Sequence, residues 1–176
     1  MSKLKLATVW LDGCSGCHMS LLDMDAAIFE VARKTDLVYG PLVDAQEFPD
    51  GVDVTLVEGA VSSQDDLKKL QKIRARTRTL VALGDCAVTG NVSSMRNGHP
   101  AQKILQCVYV EGAQEGKGVP NAGVPALLPQ ARPLHEFVKV DVHLPGCPPP
   151  SKAILGVLGE LLAGRKPEAN AKVKFG

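Results

Sequence analysis

Residues 4–19 read LKLATVWLDGCSGCHM, and the order of residue types in this stretch decides the fold of the chain. Residues 4–10 are apolar and β-branched enough to form a buried strand, which ends at the turn pair Asp12-Gly13. A helix is expected to begin near residue 18, because apolar residues then recur at helical spacing. The predicted core positions are Leu21, Met24, Ile28 and Val31, and the apolar face is widened by Leu22, Phe29 and Ala32. A buried strand that leads directly into a helix predicts the first unit of an α/β fold.

The alternation of strand and helix continues along the chain. Further strands are predicted at 36–42, 53–57, 79–84 and 138–144. Ser62 or Ser63 is expected to cap one helix and Ser151 the last one, because a serine hydroxyl accepts a hydrogen bond from the first free amides. The pattern predicts a flavodoxin-like, doubly wound α/β fold, with a mostly parallel five-stranded sheet in the order 2-1-3-4-5 and helices on both faces. We expect residues 1–176 to form a single domain with one long Gly/Pro-rich loop at about 112–133, too broken for regular structure.

Composition and charge exclude several classes of function. The chain has 20 basic and 19 acidic residues, no long run of one sign and a net charge of +1, so it lacks the basic surface of a nucleic-acid-binding protein. No apolar run approaches the roughly 18 residues needed to cross a bilayer. The first residues, MSKLKLATVWL, do not follow the pattern of an export signal. We therefore expect a cytoplasmic protein that has neither nucleic acid nor a membrane as its partner.

Four of the five cysteines follow predicted strands. Cys14 and Cys17 come after the first strand, Cys86 after the fourth and Cys147 after the fifth. The carboxyl ends of parallel strands meet at one edge of the sheet, where open α/β folds bind their ligands, so we predict that these four thiols converge there. The fifth, Cys107, lies in the apolar stretch QKILQCVYV and is predicted to be a buried core residue.

Four converging thiols can bind zinc or an iron–sulfur cluster. A structural zinc commonly joins two close pairs of ligands, whereas Cys86 and Cys147 lie 69 and 61 positions beyond the preceding ligand (86 − 17 and 147 − 86). Cys147 is also followed by three prolines, and Cys-Pro recurs at iron–sulfur ligands. Gly13 and Gly16 would allow the backbone to approach inorganic sulfide closely. The spacing favours an iron–sulfur cluster.

Two other uses of the same residues remain open. Cys14 and Cys17 have the Cys-x-x-Cys spacing of a thioredoxin-like redox pair, with Cys86 and Cys147 then buried as small hydrophobic residues. FMN is a second candidate cofactor, because flavodoxin-like folds bind its phosphate at this edge of the sheet. Its hydroxyl and amide donors would come from Ser62-Ser63 or from Thr89-Gly90-Asn91.

Two further residues lie close to the predicted thiol site in sequence or in topology. His18 directly follows Cys17, where it either donates to sulfide and moves protons or caps and packs the helix. Glu58 ends the third strand, where it serves a proton path or an interface salt bridge, or is an exposed turn carboxylate. The sequence leaves both pairs of alternatives open.

Four stretches together resemble the small subunit of nickel–iron hydrogenases: residues 10–17 (WLDGCSGC), 57–60 (VEGA), 84–86 (GDC) and 144–149 (LPGCPP). They are similar above all to the short small subunit of the cytosolic, bidirectional, NAD-coupled hydrogenases. The resemblance implies that Cys14, Cys17, Cys86 and Cys147 bind one proximal 4Fe-4S cluster. Longer members of the family carry a C-terminal domain with further clusters, for which this chain has too few cysteines.

The resemblance also implies a function and a set of partners. The chain would be an electron-transfer subunit between the nickel–iron site of a large subunit and the iron–sulfur and flavin diaphorase subunits that reduce NAD. We expect the 112–133 loop to contact these partners. Rival assignments are the quinone-site subunit of respiratory complex I, which has adjacent cysteines where this chain has Cys-Ser-Gly-Cys, and an F420- or sulfur-reducing hydrogenase subunit. A free-standing flavodoxin-like FMN carrier is the alternative from another class.

Overall fold

The computed structural model describes residues 3–167. The strands are β1 Leu4–Trp10, β2 Thr35–Tyr39, β3 Val52–Glu58, β4 Val61–Ser63, β5 Thr77–Leu83, β6 Leu127–Arg132 and β7 Val142–Leu144. The α-helices are α1 Gly16–Leu22, α2 Ala27–Lys34, α3 Gln64–Arg76, α4 Asp85–Thr89, α5 Asn91–Ser94, α6 Ala101–Gln106 and α7 Ser151–Leu162. Short 3-10 helices at Met95–Gly98 and Leu134–Glu136 and a π-helical turn at Cys107–Glu111 complete the regular elements of this part of the chain.

A five-stranded parallel sheet in the order β2-β1-β3-β5-β7 forms the centre of the fold. Side chains alternate across it: Leu80 and Ala82 of β5 pack on the side of α3, while Val81 and Leu83 pack on the side of α7. Helices therefore cover both faces. The predicted α/β class, strand order and covered faces are confirmed. No helix within residues 3–167 has the length and apolar character to span a membrane.

A second, two-stranded sheet was not predicted. β4 and β6 pair antiparallel, with Val61 opposite Arg132 and Ser63 opposite Leu127. The prediction of an irregular loop through residue 133 was therefore wrong for residues 127–132. Pro129 made this segment look broken, but both strands of a two-stranded sheet are edge strands, and an edge strand tolerates a residue that lacks an N–H. Residues 112–126 contain no helix or strand.

The first predicted helix is two helices. α1 ends at Leu22, α2 begins at Ala27, and Asp25 between them has a left-handed backbone (φ 49°). This break changes the phase of the apolar pattern. Met24 and Val31 are buried as predicted, but the residues expected to widen the apolar face, Leu22, Phe29 and Ala32, are exposed.

Two predicted strands extend too far. β2 ends at Tyr39 instead of residue 42, because the residues around Pro41 cannot continue the ladder. β7 begins at Val142 instead of residue 138. Just before it, the Asp141 N–H donates to the Leu80 carbonyl (3.0 Å), while the Asp141 carboxylate, a side chain, accepts the Leu80 N–H (2.9 Å) in place of a backbone carbonyl.

The predicted helix caps have different outcomes. Ser63 caps α3 in a reciprocal capping box: its hydroxyl accepts from the Asp66 N–H, and the Asp66 carboxylate accepts from the Ser63 N–H. Ser151 is the first residue of α7, and Pro150 occupies the cap position without a side-chain hydrogen bond. The prediction of a Ser151 cap was wrong.

Candidate metal centre

The four cysteines lie on three segments at the carboxyl end of the parallel sheet, and these segments include the first turns of α1 and the whole of α4. We call residues 11–20, which carry Cys14 and Cys17, loop A. Residues 84–93, which carry Cys86, are loop B, and residues 145–149, which carry Cys147, are loop C. Each loop follows a strand of the sheet, namely β1, β5 and β7.

Loop A is fixed against the end of β3. The Leu11 N–H donates to the Glu58 carbonyl (2.9 Å), and Asp12 and Ala60 exchange two backbone hydrogen bonds (3.1 and 2.8 Å). Gly59 is required at this crossing, since its φ is +94° and a Cβ there would lie 2.8 Å from the Leu11 carbonyl carbon. The Trp10 indole N–H donates to the Gly13 carbonyl (2.9 Å), just before Cys14.

Cys17 is the most deeply buried of the four thiols, with 8% of its surface exposed. Burial raises its pKa, and so do the negative charge of Glu58 and those of the other three thiols, Cys86, Cys14 and Cys147. The other three thiols are therefore within electrostatic range of Cys17.

Cys86 is half-buried at the start of α4. Burial raises the pKa of its thiol, while hydrogen bonds from the Val92 and Ser93 backbone amides oppose that shift by stabilising the thiolate. Cys14 and Cys147 are exposed, and Cys14 Sγ accepts a hydrogen bond from the Gly16 N–H (3.4 Å). The thiols thus range from a buried inner side to an outer side at the protein surface.

Glycines let the loops approach one another at the thiols. A Cβ on Gly84 would lie 2.2 Å from Cys17 Sγ, and one on Gly146 would lie 2.6 Å from Pro149 Cα. Both glycines have positive φ, +83° and +130°. The Cys147–Pro148 peptide bond that follows is cis.

Buried Glu58 and half-buried His18 form a pair beside Cys17. Glu58 is 1% exposed, so its interpretation as an exposed turn carboxylate was wrong. One of its oxygens accepts from the His18 backbone N–H (3.0 Å) and pairs with His18 Nδ1. His18 Nε2 is buried and has no hydrogen-bond partner among the described residues.

Four thiols on three separate loops are a donor set that a 4Fe-4S cluster could use. Within residues 3–167, no group of three or more His, Cys, Asp or Glu side chains is arranged to hold one metal ion. In a 4Fe-4S cluster each cysteine bonds a different iron, so the sulfurs need not meet at one point. Iron would also supply the positive charge that Cys17 lacks, because metal binding favours the deprotonated thiol.

The remaining sequence predictions concern FMN and Cys107. The hydroxyls predicted to bind an FMN phosphate form hydrogen bonds within the protein instead. Ser62 and Ser63 donate to the Asp66 carboxylate, and Thr89 donates to the Asp85 carbonyl. Cys107 is exposed at the start of the π-helical turn, so the prediction of a core residue was wrong.

Three polar residues that connect the loops were not singled out from sequence. Ser20 Oγ donates to the Pro149 carbonyl (2.5 Å), Asp85 Oδ1 accepts from the Gly146 N–H (2.6 Å), and Ser93 Oγ donates to the Asp12 carbonyl (2.9 Å). No sequence signal marks the two serines. Asp85 stands between a glycine and a predicted ligand, which is the one hint that the sequence offers.

Comparison with known proteins identifies the family. Residues 14–161 match the family described as NADH ubiquinone oxidoreductase, 20 Kd subunit. The chain is 38% identical over 168 residues to the delta subunit of the NAD-reducing hydrogenase HoxS of Cupriavidus necator, covering 93% of this chain and 80% of that one. It is 36% identical over 172 residues to a subunit of the F420-non-reducing hydrogenase vhu of Methanocaldococcus jannaschii, covering 97% of this chain but 60% of that relative.

A solved structure of an NAD+-reducing NiFe hydrogenase in the H2-reduced state contains a chain of the same fold. The match has a TM-score of 0.93 and 35% identity, and it covers 99% of this chain and 100% of that chain. The chain therefore belongs to the family of the NADH ubiquinone oxidoreductase 20 Kd subunit and is a homologue of the delta subunit of NAD-reducing hydrogenase.

Proposed function

We propose that this chain is the electron-transfer small subunit of an NAD-reducing nickel–iron hydrogenase, and that Cys14, Cys17, Cys86 and Cys147 hold one 4Fe-4S cluster. The observation that carries the proposal is the position of these thiols on three loops that follow β1, β5 and β7 at the carboxyl edge of one sheet, with Cys17 Sγ packed against Gly84, two residues before Cys86. Homology to the HoxS delta subunit supports it. The chain would act in the cytoplasm as a single cluster-binding domain.

A bound 4Fe-4S cluster accepts and releases one electron at a time. The protein contributes the environment of the sulfurs. Burial of Cys17 keeps water away from one side, and the Val92 and Ser93 amides stabilise negative charge on the Cys86 sulfur. Hydrogen bonds to a ligand sulfur favour the reduced state and so raise its reduction potential.

The partners follow from the same proposal. The reaction H2 + NAD+ → H+ + NADH, which is reversible, needs a nickel–iron site on a large subunit and flavin and iron–sulfur subunits that reduce NAD. Electrons would enter and leave through this chain. The exposed thiols, Cys14 and Cys147, mark the outer side of the site, which we propose is covered by a partner subunit.

Serine substitutions of the cysteines test this function in the assembled complex. Cys17→Ser and Cys147→Ser are expected to abolish H2-dependent NAD reduction, since a missing ligand breaks the electron path. The matched control is Cys107→Ser, which changes an exposed cysteine away from the three loops and is expected to keep wild-type activity. Equal activity in all three variants would rule out the ligand assignment.

A second candidate function is that of a hydrogenase subunit that serves an acceptor other than NAD. The 36% identity to a subunit of the F420-non-reducing hydrogenase vhu favours it, although the chain spans only 60% of that relative's length. The two candidate functions differ in the electron acceptor, so an assay of the acceptor distinguishes them. The purified complex is expected to reduce NAD with hydrogen; activity with other electron acceptors but not with NAD would support the second candidate.

A further inference from the structure

Each pair of the three cysteine-bearing loops is joined by one side-chain hydrogen bond to the backbone. Ser20 joins loop A to loop C, Asp85 joins loop B to loop C, and Ser93 joins loop B to loop A. The three bonds form a closed triangle around the thiols. None of them uses a thiol, so all three exist independently of any bound group.

The two bonds to loop C are buried. Asp85 and Ser20 are both 6% exposed. A buried carboxylate is costly unless it is hydrogen-bonded, and here the Gly146 N–H, one residue before Cys147, satisfies it. Charge-assisted bonds of this kind are shorter and stronger than neutral ones, so Asp85 fixes Gly146 firmly relative to Cys86.

The backbone reinforces the contact between loops B and C. The Gly84 N–H donates to the Leu144 carbonyl (2.8 Å), and the Asp85 N–H donates to the Gly146 carbonyl (2.9 Å). Asp85 and Gly146 therefore exchange two hydrogen bonds: the Asp85 N–H donates to the Gly146 carbonyl, and the Asp85 carboxylate accepts from the Gly146 N–H. No comparable backbone exchange joins loop A to loop C among the bonds of the described residues, so Ser20 provides their cross-link.

From these contacts we propose that Ser20, Asp85 and Ser93 are positioning residues that hold the four thiols in place for the cluster. This inference rests on the proposed function. A site assembled from three separate loops loses conformational entropy when it binds a rigid group, and bonds that exist beforehand reduce that loss. Their removal should therefore speed the loss of the cluster more than it lowers overall stability.

The triangle also predicts how substitutions combine. After removal of one bond, each loop stays linked to the others through the two that remain. Removal of both Ser20 and Asp85 leaves loop C without a side-chain link. The double variant Ser20→Ala/Asp85→Ala should therefore lose iron faster than the product of the two single effects predicts.

The test uses the full chain purified anaerobically with its native partners. The measurements are the rate of iron loss to a chelator, the EPR spectrum of the reduced protein and the melting temperature. Ser20→Ala and Ser93→Ala are each expected to lose iron about fivefold faster than wild type, the factor for one net neutral hydrogen bond, and Asp85→Ala more than about tenfold faster, because its bond is charge-assisted. Asp85→Asn keeps an acceptor oxygen and is expected to stay within about twofold of wild type.

Two control variants separate positioning from general stability. Asp141→Ala removes a carboxylate that likewise accepts a backbone N–H, from Leu80, at the opposite end of the sheet. Thr35→Val removes a buried hydroxyl that donates to the Val31 carbonyl (2.9 Å). Both are expected to lower the melting temperature but to leave the iron-loss rate and the EPR spectrum unchanged.

The outcomes distinguish the two proposals. Suppose that the two control variants lose as much melting temperature as Ser20→Ala and Asp85→Ala and also lose iron as fast. The positioning role is then wrong, while the cluster assignment stands. If the Asp85→Ala chain fails to fold, Ser20→Ala and Ser93→Ala decide by the same comparison. Absence of the four-cysteine cluster from the wild-type complex would overturn the proposed function itself.

Discussion

At the scale of single residues, position 84 shows how closely the loops approach. A Cβ on Gly84 would overlap Cys17 Sγ at 2.2 Å, and its φ of +83° adds backbone strain of about 1–3 kcal/mol for any other residue. We expect Gly84→Ala to displace the Cys17 thiol and to lose most of the bound iron. Iron content and urea-induced unfolding measure the two effects.

Gly51→Ala is the control for that prediction. Gly51 also has a positive φ, +66°, but its Cβ would meet no atom within 4 Å. The control should lose stability through backbone strain alone and retain its iron. Equal iron content in the two variants would contradict the close contact between Gly84 and Cys17.

The pKa of His143 is lowered by burial and, to a smaller extent, by the nearby His135. Near pH 6.5, where histidine titrates in an unfolded chain, the unfolded state therefore binds more protons than the folded state. Stability from this group is present above that pH and is lost as the pH falls through the lower, folded pKa. We expect His143→Gln to flatten this part of the pH dependence of the unfolding free energy.

His99→Gln serves as the matched substitution, since His99 is exposed. It makes the same change of residue type outside the His135–His143 ring contact. If the His143→Gln and wild-type curves keep the same slope on acidification, the attribution to His143 is incorrect.

Side-chain burial in short or bent elements was harder to predict than the sites of the thiols. Cys14, Cys17, Cys86 and Cys147 were placed by simple topology, because each follows a strand of one parallel sheet; their role as ligands stays a prediction. Cys107 was assigned to the core from its apolar neighbours. Apolar neighbours predict burial only where a regular helix presents one face, and Cys107 begins a π-helical turn.

At the scale of elements, α3 depends on its cap. Ser63 and Asp66 satisfy each other's backbone amides at its start. Ser63→Ala should lower the free energy of unfolding by about 1 kcal/mol, measured in urea. Ser151→Ala, at the start of α7, should change it by less than about 0.5 kcal/mol, because Ser151 is not the cap. Similar losses in both variants would argue against the capping role.

The irregular segment 112–126 is the element we expect at a partner surface. It is mostly exposed, and Val119 and Val124 present apolar side chains to solvent. A partner that covers this segment should slow its cleavage, so limited proteolysis is expected to cut it more slowly in the complex than in the isolated chain. Equal rates at this segment would contradict the proposed contact.

The strands of the parallel sheet were predicted better than β6 and than the break between α1 and α2. The five parallel strands can be recognised in the sequence as apolar runs, because helices cover both faces of the sheet. β6 does not, because one of its faces meets solvent and Pro129 interrupts it. The break between α1 and α2 depends on the left-handed backbone of Asp25, which no apolar period reveals.

At the scale of the whole molecule, the proposed site lies at the carboxyl edge of the parallel sheet. Loops A, B and C gather there, while the salt bridge between Arg74 and Asp141 and the Asp141–Leu80 hydrogen bond stabilise the opposite end. The position of the thiols could be predicted because loops A, B and C each follow a strand of this sheet. We therefore expect that substitutions at the opposite end change stability without changing the proposed cluster binding.

Iron and acid-labile sulfide in the native complex, compared between wild type and Cys17→Ser, test the central claim most directly. If the four thiols hold one 4Fe-4S cluster, the variant complex should contain about four iron atoms and four sulfides fewer than wild type. Unchanged iron and sulfide in a Cys17→Ser complex that still assembles would contradict it.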